Sequence, residues 1–271
     1  MNIENIAFVI PIHPPHYHFI YNFINKLKIN NIQINIYLVF SNDADYDQFT
    51  MKNEINPIIC SPFKTNSIVT YKKFFGLKHL ANSNYDYIIC CDSEIDILCP
   101  YFTNENINNK IKQIFDNKQI YAGDCNNSYT IDVTKTCALI YPENYEYLKQ
   151  ITNDFMLYFW WSDLPVYRRE DIAPFFNIIN YDNIVSTQFD YIIYQYYLIL
   201  YHDFKIINTT SITQLNWSLE LLLTNNIDIL NGLVDIKYGF SWITKDFYNL
   251  NSTFIESQKG FLIYHLDRYF S

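Results

Sequence analysis

Residues 87–96 of this 271-residue chain read YIICCDSEID and indicate its fold class. The run from Tyr87 to Cys91 is continuously apolar, as is typical of a strand that is buried on both faces of a parallel sheet. Three carboxylates follow it directly, on Asp92, Glu94 and Asp96. Because ligands of open α/β sheets gather at the carboxyl ends of the strands, an acidic segment in this position is a candidate functional site.

Strand and helix patterns alternate on both sides of this segment. Continuous apolar runs predict strands, and apolar residues spaced by three and four predict helices. Further strands are predicted at 6–12, 32–40, 57–60, 137–141 and 204–207, with a short apolar strand or turn at 260–265. Helices are predicted at 18–29, 69–80, 107–115, 143–156 and 185–201. The alternation implies an α/β fold, with a mixed, mainly parallel sheet flanked by helices. No internal repeat or Gly/Ser-rich linker interrupts the chain, so we expect one domain over residues 1–271.

The composition excludes several classes of protein. Hydrophobic residues make up 49% of the chain, which is enough for a sizeable core and argues against disorder. With 28 acidic and 19 basic residues the net charge is −9, which argues against binding nucleic acid through its phosphates. The five glycines lie at least seven positions apart, so the chain has neither a Gly-rich dinucleotide loop nor a P-loop. None of the six cysteines forms a CxxC pair, so we expect buried thiols rather than structural zinc.

The sequence gives no sign of secretion or of a membrane span. Met1–Asn5 lacks the basic and apolar regions of a signal peptide. The most apolar later stretch, residues 191–201, is too short to cross a bilayer. We therefore expect a cytoplasmic protein. The absence of a Gly-x-Ser-x-Gly motif also counts against common hydrolase chemistry.

The acidic segment favours a divalent metal ion. Three carboxylates within five residues repel one another unless a cation gathers them. Mg²⁺ and Mn²⁺ prefer oxygen ligands, commonly one or two carboxylates together with substrate phosphates. Asp92 and Glu94 could supply such ligands, while Asp96 would be an additional ligand or a surface residue. The structural alternative is a solvated acidic turn.

The order of these features resembles that of the GT-A-fold glycosyltransferases, which use nucleotide-sugar donors and a metal ion. The Asp-x-Glu pair resembles their Asp-x-Asp motif, and residues 8–13, FVIPIH, resemble their first strand. The predicted helix containing residues 71–77, YKKFFGL, is similar to a lysine-containing helix of that family. His265 stands where several members have a late histidine that completes the metal site. The frequent Asn, Ile, Tyr, Lys and Phe are typical of AT-rich genomes, such as those of some giant viruses and microbes.

The resemblance implies a role for each matching residue. Ligands of a Mn²⁺ or Mg²⁺ ion would be Asp92, Glu94 and His265. Positions around the nucleotide and its diphosphate, expected to be those of UDP, would be Pro11, Ile12, His13, Asp43, Lys73, Asp92 and Ser93. Residues 1–100 would form the donor-binding half of the domain. Residues 101–271 would form the acceptor-binding half, including the C-terminal metal-ligand segment.

Two further carboxylates are candidates for the reaction itself. Asp163 lies in the segment WWSDLPVYRR, residues 160–169, which suits a sugar because aromatic rings stack on C–H faces while Asp and Arg bind hydroxyls. Asp190 begins a Tyr-rich helical run, where it could be the general base of an inverting transfer or face the anomeric carbon in a retaining one. An aromatic core segment and a helix-capping carboxylate are the structural alternatives.

Three histidines lie within six residues, at His13, His16 and His18. A transition-metal site is conceivable there, but the two intervening prolines interrupt a helical register. We expect loop histidines, with His13 beside the donor base.

We therefore expect a glycosyltransferase, of the hexosyl or N-acetylhexosaminyl type, that moves a sugar from a nucleotide-diphosphate donor to a glycan or glycoprotein acceptor. Two other interpretations stay open. One is a metal-dependent nucleotidyltransferase or phosphohydrolase that uses the same carboxylates. The other is a non-catalytic carbohydrate-binding protein on a decayed transferase fold. The sequence indicates neither the donor sugar, the acceptor, the stereochemistry nor the oligomeric state.

Overall fold

The computed structural model describes residues 5–97, 102–125, 128–159, 165–208 and 262–263. Its strands are β1 (Ile6–Pro11), β2 (Asn35–Phe40), β3 (Asn56–Ile59), β4 (Tyr87–Cys90), β5 (Asp96–Ile97), β6 (Gln119–Asp124), β7 (Leu157–Phe159), β8 (Val166–Arg168), β9 (Lys205–Asn208) and β10 (Leu262–Ile263). Its α-helices are α1 (Tyr17–Ile29), α2 (Asp43–Gln48), α3 (Ile68–His79), α4 (Asn104–Asn117), α5 (Ser128–Ala138), α6 (Tyr145–Ile151), α7 (Arg169–Ile178) and α8 (Asp190–Tyr201). No helix in the described ranges is long and apolar enough to cross a membrane.

The main sheet has five strands in the order β3-β2-β1-β4-β8. The first four are parallel, whereas β8 is antiparallel to β4. Val9 of β1 lies between Tyr37 of β2 and Cys90 of β4. The chain therefore runs outward from β1 through β2 to β3 and then returns to place β4 on the other side of β1. This reversal makes a topological switch point between β1 and β4, where the carboxyl ends of the two strands border a crevice.

Two smaller sheets accompany the main sheet within the described residues. In one, the central strand β6 pairs antiparallel with β7 and parallel with β9. In the other, β5 pairs antiparallel with β10, and Ile263 lies opposite Asp96. The prediction of a mixed, mainly parallel sheet flanked by helices is confirmed.

Helices cover both faces of the main sheet because successive side chains of a strand point to opposite sides. On one face, Phe23 of α1 packs edge-on against Phe8 of β1, with ring centroids 5.4 Å apart. On the other face, α3 approaches so closely that a Cβ atom on Gly76 would lie 2.6 Å from Cγ1 of Val9 and 2.8 Å from Cγ2 of Val39. Glycine at this position therefore permits the close packing of α3 on β1 and β2.

Among the described strands, β3 forms one edge of the main sheet. Its first two residues, Asn56 and Pro57, are exposed, and Ile58 is buried. Because proline has no N–H group, it is tolerated at a sheet edge and disfavoured in a central strand.

Three predictions after residue 100 differ from the structure. Residues 137–141 do not form a strand: α5 extends to Ala138, and its buried Val133 and Cys137 are spaced as on one face of a helix. The helix predicted at 143–156 ends at Ile151, because Asn153, Asp154 and Phe155 have positive φ angles and the chain then forms β7 against β6. The helix predicted at 185–201 begins only at Asp190.

Candidate functional site

The acidic segment follows the carboxyl end of β4, as predicted from the sequence, and the strand order places that end at the switch point. The N–H of Cys91 donates to the carbonyl of Val9 at 3.2 Å, so β4 stays beside β1 up to its last residues. Beyond this bond the chain continues into Asp92, Ser93 and Glu94, while β1 continues into Ile12 and His13. Side chains from both strand ends therefore border the same crevice.

A buried lysine connects the acidic segment to two other parts of the fold. Nζ of Lys73, on α3, lies 2.9 Å from Oδ1 of Asp92 and 3.0 Å from Oδ1 of Asp190. The hydroxyl of Tyr167, on β8, donates to the other oxygen of Asp190 at 2.7 Å. Lys73 and Asp190 are only 2% and 1% exposed. One ammonium group thus joins α3, the end of β4 and the start of α8.

The charges of this group are not balanced, since it contains two carboxylates and one ammonium. Burial acts to lower the pKa of Lys73, but Asp190 and Asp92 outweigh it and raise that pKa. Burial raises the pKa of Asp190, against the opposing effects of Lys73 and Tyr167. With both of its oxygens bonded, Asp190 holds Lys73 in place and does not face open solvent.

The other carboxylate of the motif contacts the loop after β1. Nδ1 of His16 lies 3.3 Å from Oε2 of Glu94 and 2.7 Å from Oγ of Ser93. The hydroxyl of Ser93 is also within donor distance of Glu94, at 3.3 Å. The ring of His13 lies 3.8 Å from that of His16, centroid to centroid. The β1–α1 loop therefore closes one side of the crevice with imidazole groups.

Lys72, next to Lys73 on α3, has a different environment. Its ammonium donates to the main-chain carbonyl of Ile12 at 2.6 Å and lies 5.9 Å from the centroid of the Phe63 ring. The side chain is buried, at 3% exposure, and burial lowers its pKa to about 8. Lys72 forms no ion pair with the described residues. The neighbours of its ammonium described above are a neutral carbonyl and an aromatic ring.

The predicted nucleotide positions lie at neighbouring strand ends. Pro11 and Ile12 are buried, and His13 is partly exposed. Asp43 is exposed at the first position of α2, immediately after β2. The side chain of Asn42 caps that helix by accepting from the N–H of Asp45 at 2.8 Å. The ends of β1 and β2 thus bring these residues to the same edge of the sheet.

Three predicted positions remain to be placed. Asp96 lies in β5, where its carboxylate pairs with Nζ of Lys26 at 2.5 Å. Asp163 and His265 lie outside the described residues. The carbonyl of Pro165, two residues after Asp163, accepts from the N–H of Cys90 at 2.9 Å.

The described part of the chain brings two acidic side chains to the crevice, but not a complete set of metal ligands. Within the described ranges there is no group of three His, Cys, Asp or Glu side chains that could hold a metal ion. The side chains of Asp92 and Glu94 are 16% and 14% exposed. Oxygen atoms of one or two carboxylates, together with substrate phosphates, are a usual environment for Mg²⁺. The donor chemistry of this pair therefore fits a hard divalent ion.

Three residues of the site, His16, Lys72 and Tyr167, were given no contact with its carboxylates or ligand by the sequence analysis. His16 had a signal in the sequence, because it belongs to the histidine-rich loop. Its contact with Glu94, however, depends on the conformation of that loop. Lys72 also had one, because two adjacent lysines interrupt an otherwise apolar helical stretch. Tyr167 had none, since its contact with Asp190 requires the antiparallel pairing of β8 with β4.

Comparison with known proteins gives limited similarity. No family model matches the chain. No curated protein matches it either. Among solved structures, S. aureus TarS 1-349 has a TM-score of 0.37 at 10% identity, over 68% of this chain and 53% of that chain. The crystal structure of S. aureus TarS has a TM-score of 0.34 at 9% identity, over 63% and 29% of the two chains. TarS 1-349 in complex with UDP-GlcNAc has a TM-score of 0.26 at 9% identity, over 43% and 34%. The match thus spans about half of the length of the first of these structures.

Proposed function

We propose that the protein is a glycosyltransferase that moves a sugar from a nucleotide-diphosphate donor, of the UDP-sugar class, to a glycan or glycoprotein acceptor. The observation that carries this proposal is the position of Asp92 and Glu94 at the switch point between β1 and β4. Ligands of parallel α/β sheets bind at such points. The resemblance of the ordered sequence features to GT-A-fold enzymes supports the same assignment.

A bound Mn²⁺ or Mg²⁺ ion would offset the negative charge that develops on the diphosphate as the glycosidic bond breaks. Asp92 and Glu94 are proposed to hold it. Lys73 fixes the orientation of Asp92 through the 2.9 Å ion pair, and His16 and Ser93 contact Glu94. Because these partners restrain both carboxylates before a ligand arrives, little reorganisation is needed on binding.

His265 is proposed as the third ligand. Its support is the pairing of β10 with β5, which puts Ile263 opposite Asp96. Ile263 is two residues before His265, and Asp96 is two residues after Glu94. The pairing therefore brings the chain close to the acidic segment shortly before the histidine.

The donor nucleotide is proposed to bind over the ends of β1 and β2. Pro11 is the last residue of β1, and Ile12 and His13 come directly after it. Asp43 comes after β2, and Ser93 after β4. Residues 1–100 would then provide the donor side of the site and residues 101–271 the acceptor side.

Asp163 is proposed as a catalytic carboxylate near the transferred sugar. Its support is the bond between Pro165 and Cys90, which anchors the chain two residues away to the end of β4. Asp190 was predicted as a second catalytic carboxylate. Its burial and its bonds to Lys73 and Tyr167 favour a role through Lys73, which it positions beside Asp92.

Calorimetric titration with UDP, with and without Mn²⁺, tests the proposal. We expect metal-dependent binding by the unmodified protein, loss of that binding in Glu94→Ala, and no change in Glu146→Ala, which removes a carboxylate from an exposed face of α6. Incubation with UDP-sugars and candidate acceptors should then release UDP together with a glycosylated product.

Other products would contradict the proposal. Release of pyrophosphate or phosphate would instead indicate a nucleotidyltransferase or a phosphohydrolase. Binding of glycans without any metal-dependent affinity for nucleotides would indicate a carbohydrate-binding protein.

A further inference from the structure

Two adjacent lysines of α3 carry their charges to opposite sides of the end of β1. Lys73 lies between two carboxylates, at 2.9 and 3.0 Å, so its positive charge is already offset within the protein. Lys72 instead donates to the neutral carbonyl of Ile12. A buried charge without an ionic partner is costly, and a ligand of the opposite charge would offset that cost.

We infer that Lys72 binds a phosphate group of the ligand at the carboxyl end of β1, and that Lys73 serves to position Asp92. The inference rests on the proposed function for the identity of the nucleotide, but not for the chemistry of the group bound. An Nζ atom carries three hydrogens, and the bond to Ile12 uses one of them. The chain has no Gly-rich loop to surround a phosphate with main-chain amides, so a side-chain cation is one of the groups that could bind it, beside the proposed metal ion.

Several groups face Lys72 from the surrounding elements. Asp45 of α2 and Cys60, which follows β3, are the titratable groups that act on it, and both favour its charged form. The loop after β1 contributes the carbonyl of Ile12, and Phe63 contributes its ring. Burial outweighs the effect of these groups, so the pKa of Lys72 is lowered to about 8. A phosphate in contact with the ammonium would raise this pKa again.

Binding of a phosphate should therefore be accompanied by uptake of a proton. At pH 8.5 the Lys72 amine of the unliganded protein is mostly neutral, given a pKa of about 8. The phosphates of UDP are already fully ionised at that pH. We expect uptake of about 0.8 proton per ligand bound at pH 8.5, and a fall in affinity of about tenfold for each pH unit above 8.

The experiment is calorimetric titration of the full chain at pH 7 and pH 8.5, in pairs of buffers that differ in ionisation enthalpy. The ligands are UDP, pyrophosphate and uridine, at one fixed concentration of free Mg²⁺. Lys72→Met should weaken binding of UDP and pyrophosphate about ten- to a hundredfold at pH 7 and abolish the proton uptake. Lys72→Arg retains a charge that does not titrate, so it should bind without proton uptake. Lys78→Met, at an exposed position of the same helix, is the matched control and should behave as the unmodified protein.

Proton uptake with UDP and pyrophosphate, but not with uridine, would support the inference. UDP binding without uptake and with equal affinity in Lys72→Met would overturn it and leave the proposed function intact. Equal uptake with uridine and UDP would also overturn it, because Lys72 would then respond to the nucleoside. Uptake with pyrophosphate in a protein that transfers no sugar from any UDP-sugar would support the role of Lys72 and refute the proposed function. Failure of all three ligands to bind would overturn the inference.

Discussion

Replacement of Lys72 by methionine should change how the stability of the unliganded protein depends on pH. The folded protein holds this lysine buried at 3% exposure, with a pKa of about 8 against an ordinary value of 10.5. At pH 7 the lysine is charged in the folded and the unfolded chain alike, and the folded state bears the full cost of burying the charge. Methionine at this position has no charge to bury and no pKa.

The sign follows from which state loses its proton first. Between pH 8 and pH 10.5 the folded protein has largely released the proton of Lys72, whereas the unfolded chain still binds it. The free energy of unfolding therefore rises with pH in this window. Each pH unit between the two pKa values contributes about 1.4 kcal/mol, so the unmodified protein should gain about 1.4 kcal/mol relative to Lys72→Met by pH 9 and about 2.5 kcal/mol by pH 10.

Urea unfolding followed by far-ultraviolet circular dichroism, at pH 7, 8, 9 and 10, measures this difference for the two proteins. Groups that titrate in both proteins cancel in the comparison, and the slope of each transition shows whether the unfolded states remain comparable. Lys78→Met should differ from the unmodified protein by a constant amount at every pH, since Lys78 is exposed. A difference for Lys72→Met that is constant to within about 0.5 kcal/mol would refute the reasoning, because the burial of Lys72 would then carry no electrostatic cost.

Further substitutions test the packing and the buried charges through the free energy of unfolding in urea. Gly76→Ala should lower the free energy of unfolding by about 1–3 kcal/mol, because the added Cβ would overlap Val9. An unchanged urea midpoint would mean that α3 lies farther from the sheet. Lys73→Met should lower the free energy of unfolding by about 3–5 kcal/mol, because it leaves Asp190 buried without its cation. Adding Asp190→Leu to this variant should restore part of the lost stability, and strictly additive effects of the two substitutions would contradict the pairing. Asp171→Asn should lower the free energy of unfolding by about 2 kcal/mol, since Asp171 is buried and accepts hydrogen bonds from Arg168 and Tyr194. A decrease below about 0.5 kcal/mol would contradict a stabilising role for these bonds.

The fold of the first hundred residues could be predicted well because β1, most of β2 and most of β4 are buried. All six residues of β1 are buried, so the sequence there is continuously apolar and the strand is visible without knowledge of its neighbours. Beyond residue 100 most of the described strands are short and depend on pairing. The sequence of β6, QIYAGD, has no clear period, and β8 contains only three residues. Such segments become strands because a partner lies beside them, which local sequence does not reveal.

The sequence predicted individual residues of the candidate site but not the contacts between them. The position of Asp92 and Glu94 after a strand was enough to propose them, because the rule about strand ends is local. The bond between Lys73 and Asp190 joins residues 117 positions apart, and Tyr167 reaches Asp190 from a strand that was not predicted. The assignments of Asp163 and His265 stay predictions.

The edge strand β3 has a consequence for encounters between copies of the chain. Exposed sheet edges are templates on which further strands can add, from a second molecule or from an unfolded one. Here the edge is only four residues long and begins with exposed Asn56 and Pro57, the second of which has no N–H to donate. A strand added at this edge would find few donors in register, so self-association by sheet extension is disfavoured on this side. Replacing Pro57 with a β-branched residue would remove that protection against aggregation.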